Sequence, residues 1–183
     1  MNIFERISIL AKVINYVEDK KIEHRKLQKI ICILQGTKIF PDLYDFKIGN
    51  SGIISYQLTL DIELGEKLEI FKTYRENSEL IIKSDELKPE EFISKDSEAL
   101  IYIEEIKNQK NLIKALSTQS ITVLEIIATY FYLKEKNEYE ENEIANKLKQ
   151  ADKHLNEYFE DAKDASKVFN KDISDKIQLA LQY

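Results

Sequence analysis

His24, His154 and Cys32 are the only soft metal ligands in this 183-residue chain, and a zinc-type site needs several such groups to converge. His24 and Cys32 stand eight residues apart, roughly two helical turns, which is too far for joint ligation on one straight helix. They read instead as a surface histidine ahead of a helix and a core thiol. As a nucleophile, Cys32 would need a neighbouring base and a lowered pKa, yet it sits among Ile30, Ile31 and Ile33. Asp61 and Glu63 are two residues apart and diverge on a helix, which argues against paired acid–base work. The run Glu140-Glu141-Asn142-Glu143 reads as a solvated helix start favoured by the helix dipole. Gly49-Asn50-Ser51-Gly52 is the one glycine-rich stretch a phosphate could use, but it lacks the Lys-Ser/Thr of a P-loop and the third glycine of a dinucleotide fingerprint. It reads as a turn. From these residues no catalysis, metal or cofactor is expected.

The remaining chemistry is that of binding. Lys20, Lys21, Arg25, Lys26 and Lys29 form a basic cluster through which any nucleic acid would be held. Tyr44, Tyr56 and Tyr74, three of ten tyrosines, fall near a turn, a helix and a hairpin, where aromatic anchors serve protein recognition. Lys26, Lys29, Tyr44, Gly52, Ser55, Tyr56 and Tyr74 are therefore the candidate partner-binding residues.

Several elements must position these groups. Ile3, Ile7, Leu10, Ile14 and Val17 recur at helical spacing and predict a helix over 3–19. Leu27, Ile30, Ile31 and Leu34 predict a second, stopped by Gly36 at a C′-like position with Pro41 beyond. Residues 44–48 read as a short strand, followed by the 49–52 turn and a third helix over 53–68. Ile70–Tyr74 and Glu79–Lys83, around Arg-Glu-Asn-Ser, predict a β-hairpin. Three helices and then a hairpin is the order of a winged helix. On the third helix, taken as the recognition helix, Asp61, Glu63 and Glu66 stand against Lys67, an unfavourable balance for a major groove, and the Arg75-Glu76-Asn77 wing adds no net charge.

Lys88-Pro89-Glu90-Glu91 is the strongest break in the chain. Beyond it the pattern is helical over 96–116, 120–136, 141–151, 153–170 and 172–182. Residues 121–133 are apolar nearly all round, which marks a buried central helix whose 13 residues are too few to cross a bilayer.

Composition sets the outer bounds. The length suits one or two small domains with a self-sufficient core. Net charge is −6, from 27 basic and 33 acidic residues. Residues 1–88 carry 14 of each sign and 89–183 carry 13 basic and 19 acidic, so the excess belongs to the second half, which repels phosphate backbones. A single cysteine excludes an internal disulfide and suits a reducing, cytoplasmic setting. Glu5 and Arg6 interrupt the first apolar run, and no small-residue cleavage site follows, so it does not read as a signal peptide. Four Gly and two Pro favour helices over tight turns.

With those residues in place, Lys26-Leu-Gln-Lys-Ile-Ile-Cys-Ile-Leu34 resembles the Lys-Leu-Gln-Lys helix of the YwgA-like bacterial proteins, relatives of the Panacea antitoxin domain. Tyr44-Asp45-Phe46 is similar to that family's aromatic strand, Gly52-Ile53-Ile54-Ser55 to its Gly-Pro-Tyr-Ser turn, and Leu124–Leu133 to its central C-terminal helix. Ile53 and Ile54 depart from the family, losing a rigid turn and an aromatic ring. The resemblance implies a cytosolic bacterial or phage protein without enzymatic activity, which binds a toxin or serves as a degradation adaptor. It names no residue for the task.

The expected architecture is mainly α, of α+β type: a winged-helix-like unit over 1–88 with a small β-hairpin, then an all-helical unit over 89–183, packed as one compact body. The leading function is an antitoxin- or adaptor-like protein-binding module that is not an enzyme. Two alternatives remain: a winged-helix DNA-binding regulator working through Lys20–Lys29, and an acidic inhibitor of a nucleic-acid-processing enzyme, with Glu157, Glu160 and Asp164 facing its basic groove. A protein partner is expected, a membrane is not, and the apolar C-terminal segment offers a homodimer surface.

Overall fold

The structure, a computed structural model, describes residues 1–49, 52–84, 93–94, 97–137, 139–151 and 153–181. The Asn50-Ser51 turn, the 88–91 break and the side chains of Glu141, Asn142 and His154 lie outside the described residues.

Helix α1 (Ile3–Ile14) begins at a capping box: Glu5 N–H donates to Asn2 Oδ1 at 3.0 Å and Asn2 N–H to Glu5 Oε2 at 2.7 Å. It ends five residues before the predicted boundary, in a turn where Tyr16 and Val17 N–H donate to Val13 O and Ile14 O, and beyond it Asp19 and Lys20 adopt left-handed φ of 55° and 51°. They turn the chain into a strand the periodicity concealed, β1 (Lys21–Glu23). Helix α2 (His24–Gly36) follows directly. Gly36 does not stop it. The reversal falls at Lys38, φ 61°, with Lys38 N–H donating to Gln35 O. Gly36 serves packing instead: a Cβ there would lie 2.5 Å from Phe131 Cβ.

The predicted strand at 44–48 is displaced to β2 (Lys47–Gly49), which pairs antiparallel with β3 (Gly52–Ile54). Helix α3 therefore starts at Tyr56, not Ile53, and runs to Lys67 with Ser55 as its cap. The hairpin is present as β4 (Phe71–Glu76) and β5 (Glu79–Ser84). Its turn is two residues, Asn77 and Ser78, with φ of 50° and 70°, the left-handed pair that matches strand twist. Strand β1 joins the far side of β5, Ile22 opposite Ile82, giving the order β1-β5-β4.

The second half is helical: α4 (Ala99–Asn108), α5 (Lys110–Ser117), α6 (Ile121–Asn137), α7 (Glu141–Ala151), α8 (Phe159–Ser166) and α9 (Lys171–Ala180). The single helix expected over 96–116 breaks at Gln109, and the one over 153–170 opens with a 3-10 segment, Lys153–Tyr158. Among the described residues the chain is thus mainly helical with two small antiparallel sheets.

One apolar cluster runs through both halves, and its axis is α2 against α6. Every residue from Leu27 to Gln35 is buried, as are Val123, Leu124 and Ile126–Phe131. Each full-size aliphatic there contributes about 1.5–3 kcal/mol, so neither helix can be displaced without opening the core. Phe131 also meets Phe169 of the α8–α9 connection edge-on at 5.8 Å. Replacing Gly36→Ala is expected to cost about 1–3 kcal/mol through forced separation of α2 and α6, read as a lower urea midpoint with an unchanged m-value.

Candidate functional site

Three polar side chains of α2 point inward among its apolar ones. Gln28 takes Ser55 as a strand neighbour would: Ser55 N–H donates to Gln28 Oε1 at 2.9 Å, and Gln28 Nε2 donates to Ser55 O at 3.1 Å. Gln35 repeats the arrangement one heptad on, accepting from Tyr44 N–H and donating to Tyr44 O, both at 3.1 Å. These two amides satisfy backbone groups that the buried loops would otherwise leave unpaired.

Between them lies Lys29, with 1% of its surface exposed. Its ammonium is 2.7 Å from Glu125 Oε2 on α6 and donates to Ile53 O at 2.5 Å. Glu125 Oε1 accepts from Ile53 N–H at 2.8 Å and from Thr129 Oγ1 at 3.3 Å. The preceding residue, Gly52, holds φ 84°, and any Cβ on it would collide with the Glu125 carboxylate. Glycine is required there by both conformation and space.

A fully buried carboxylate organises α3. Asp61, 0% exposed, accepts from Arg6 Nε at 2.7 Å and Nη2 at 3.0 Å, from Tyr44 Oη at 3.0 Å and from Gln57 Nε2 at 2.9 Å. The bidentate bond to Asp61 raises the Arg6 pKa. Burial, then the Asp61 charge, holds the Tyr44 hydroxyl well above its usual value, so it stays a donor.

The candidate partner-binding residues therefore divide. Lys29, Tyr44 and Ser55 are buried, Gly52 is pressed against Glu125, and all four brace the fold. Tyr56, 71% exposed, and Tyr74 lie on the surface. Lys26 borders a small groove shared with Glu18, Glu23 and Glu76. The basic cluster is largely neutralised: Lys29 by Glu125, Lys21 by Glu76 at 3.8 Å and Arg25 by Glu79 at 3.5 Å. Asp61, expected on the exposed side of the third helix, is interior, while Glu63 is exposed.

On α3 the outward positions Tyr56, Leu60, Glu63 and Lys67 follow one another at i, i+4, i+7 and i+11. Leu60 is 56% exposed. Ile48 of β2, in the hairpin that precedes α3, is exposed as well. The acidic excess of the second half is partly spent within its own helices, where Glu160, Asp164 and Asp172 pair with Lys163, Lys167 and Lys176.

Chemistry at the remaining groups is limited. Cys32 is buried, and burial pushes its thiol far above the ordinary range, so the thiolate a nucleophile needs does not form. It borders a cavity of about 380 Å³ that Asp42 and Glu135 also line; Lys38 bridges those two, reaching Glu135 at 2.5 Å and Asp42 at 3.8 Å. Among the described residues no group of three or more His, Cys, Asp or Glu is placed to hold a metal. No helix among them is long and apolar enough to cross a membrane. His24, read as a surface residue, is half-buried against Gln28 and Thr59.

The braces Gln28, Gln35, Arg6 and Glu125 were not singled out from sequence. Gln28 and Gln35 did leave a trace, two polar residues seven apart on the apolar face of a helix. Comparison of the chain with protein-family models, curated proteins and solved structures returns no match. Removing either member of the buried ion pair, Lys29→Met or Glu125→Gln, is expected to cost about 3 kcal/mol or more, and the two together less than their sum. Urea denaturation of the four proteins in the cycle measures the coupling.

Proposed function

We propose that this protein is a non-enzymatic, cytosolic protein-binding module, antitoxin- or adaptor-like, that docks its partner on the outward face of α3. The observation that carries the reading is the pairing of Tyr56 and Leu60, both more than half exposed on consecutive turns of one helix. Two large apolar side chains kept in water by a rigid helix are the raw material of a binding hot spot. The antitoxin or adaptor role is the one implied by the family resemblance.

The architecture we assign to 1–88 is a winged helix. The order α1-β1-α2-α3-β4-β5, with β1 beside β5, supports it, and the β2–β3 hairpin is then an insertion ahead of the recognition helix. That assignment keeps DNA binding as the second reading. Against it, α3 would carry Leu60 and Glu63 into the groove, and most of the basic cluster is already paired with carboxylates.

Tyr56→Ala with Leu60→Ala separates the two. Affinity capture with nuclease treatment is expected to yield a stoichiometric protein whose binding weakens at least about tenfold in the double variant and is unchanged by Lys26→Glu. If nuclease instead empties the bait, and Lys26→Glu reduces the salt dependence of what was bound, the DNA reading replaces this one.

A further inference from the structure

Strand β4 is an edge of the three-stranded sheet, with β5 on one side and, among the described residues, no strand on the other. The hairpin turns in two residues with Glu76 opposite Glu79, so Lys72, Tyr74 and Glu76 exchange peptide hydrogen bonds with β5. The N–H and C=O of Thr73 and Arg75 therefore point away from it. Among the described residues no backbone group bonds to them from outside the sheet. The strand runs six residues without proline, and its pairing with β5 has no bulge. Of the devices that blunt a sheet edge, only charge is present.

Those charges follow a pattern. On the face that carries Tyr74, Lys72 stands opposite Lys83, which stands opposite Lys21 on β1, and Glu76 stands opposite Glu79. Like charges directly across a strand pair are unfavourable, so this face has a basic row at one end and acids at the other. Glu76 reaches Lys21 at 3.8 Å, a contact between exposed side chains. Between the two ends lies Tyr74, 41% exposed. On the opposite face the Thr73 hydroxyl donates to Glu66 of α3, which stands behind the strand. An antiparallel strand with an acid facing Lys72 and a base facing Glu76 would answer both ends at once. β4 rotated about a two-fold axis at Tyr74 has that order.

We propose that this chain self-associates through β4: two copies pair edge to edge, antiparallel about Tyr74, and join their sheets into one. In that register Thr73 of each copy exchanges both peptide hydrogen bonds with Arg75 of the other. Tyr74 meets its own counterpart, and Lys72 of each copy meets Glu76 of the other, at the non-hydrogen-bonded positions where side chains approach closest. Sliding the strands by two residues, the smallest step that keeps the peptide groups matched, loses both charge pairs. The contact is isologous and closes as a dimer. Edge pairing buries little area, which places the dimer among weak, transient interfaces. No residue of the outward face of α3 takes part, so the inference stands apart from the function proposed for that face.

Sedimentation equilibrium of the purified full-length protein from about 1 µM to 1 mM, the span of weak affinities, measures the association. The expected result is a monomer–dimer equilibrium that weakens about tenfold or more in Lys72→Glu and in Glu76→Lys, each of which sets like charges together twice across the axis. The double variant, which exchanges the two charges, should restore it. Each substitution also replaces a like-charge neighbour on β5 with an opposite one, so the fold of the monomer is not at risk. Amide exchange at Thr73 and Arg75 should slow as concentration rises, while Lys72 and Tyr74, already bonded to β5, change little. A monomer throughout the range, a dimer indifferent to the single variants, or a double variant no tighter than either single one would each overturn the proposal.

Discussion

An ammonium group with almost no contact with solvent has to be neutralised where it stands, and Lys29 obliges the rest of the molecule to arrange this. Its carboxylate comes from α6, roughly a hundred residues later in the chain, so the ion pair exists only when the α2–α6 core is assembled. Its second acceptor is the Ile53 carbonyl, and the Ile53 N–H closes on the same Glu125. One side chain thereby fixes the register of two helices and the approach of β3. An apolar pair of similar volume would pack as well, but it would tolerate sliding that a hydrogen-bonded ion pair does not.

Around that charge α2 works as a spine for segments that have little regular structure of their own. Gln28 and Gln35 treat Ser55 and Tyr44 as β-sheet partners, and Asp61 gathers Arg6, Tyr44 and Gln57 into one buried network. The connection from Lys38 to Ser55 is long for a compact protein. It is held because its polar groups are bonded at both ends. The start of α3 inherits its position from these bonds.

The same economy shapes the surface. Charges that look like a patch in sequence are paired across β1, α2 and the hairpin, and the acids of α8 and α9 meet lysines one turn away. Electrostatic steering is therefore muted where the sequence advertises it. On α3 the exposed feature is apolar: Tyr56 and Leu60 on a helix braced from behind.

Periodicity alone determined that this chain is mainly helical, that α2 and the 121–133 segment are interior, and that a hairpin follows the third helix. These follow from local spacing and burial, which each segment encodes for itself. The strand hidden at Lys21–Glu23, the start of α3 at Tyr56 and the role of Gly36 were decided by partners distant in the chain: Ile82 on β5, Gln28 and Phe131. The candidate site divides the same way. Tyr56 is exposed because the helix wheel leaves it so, whereas Lys29, Tyr44, Gly52 and Ser55 changed from binding residues to braces once tertiary structure supplied Glu125, Asp61 and Gln28. A polar residue's partner is a fact about three-dimensional proximity, and spacing along one chain segment carries no record of it.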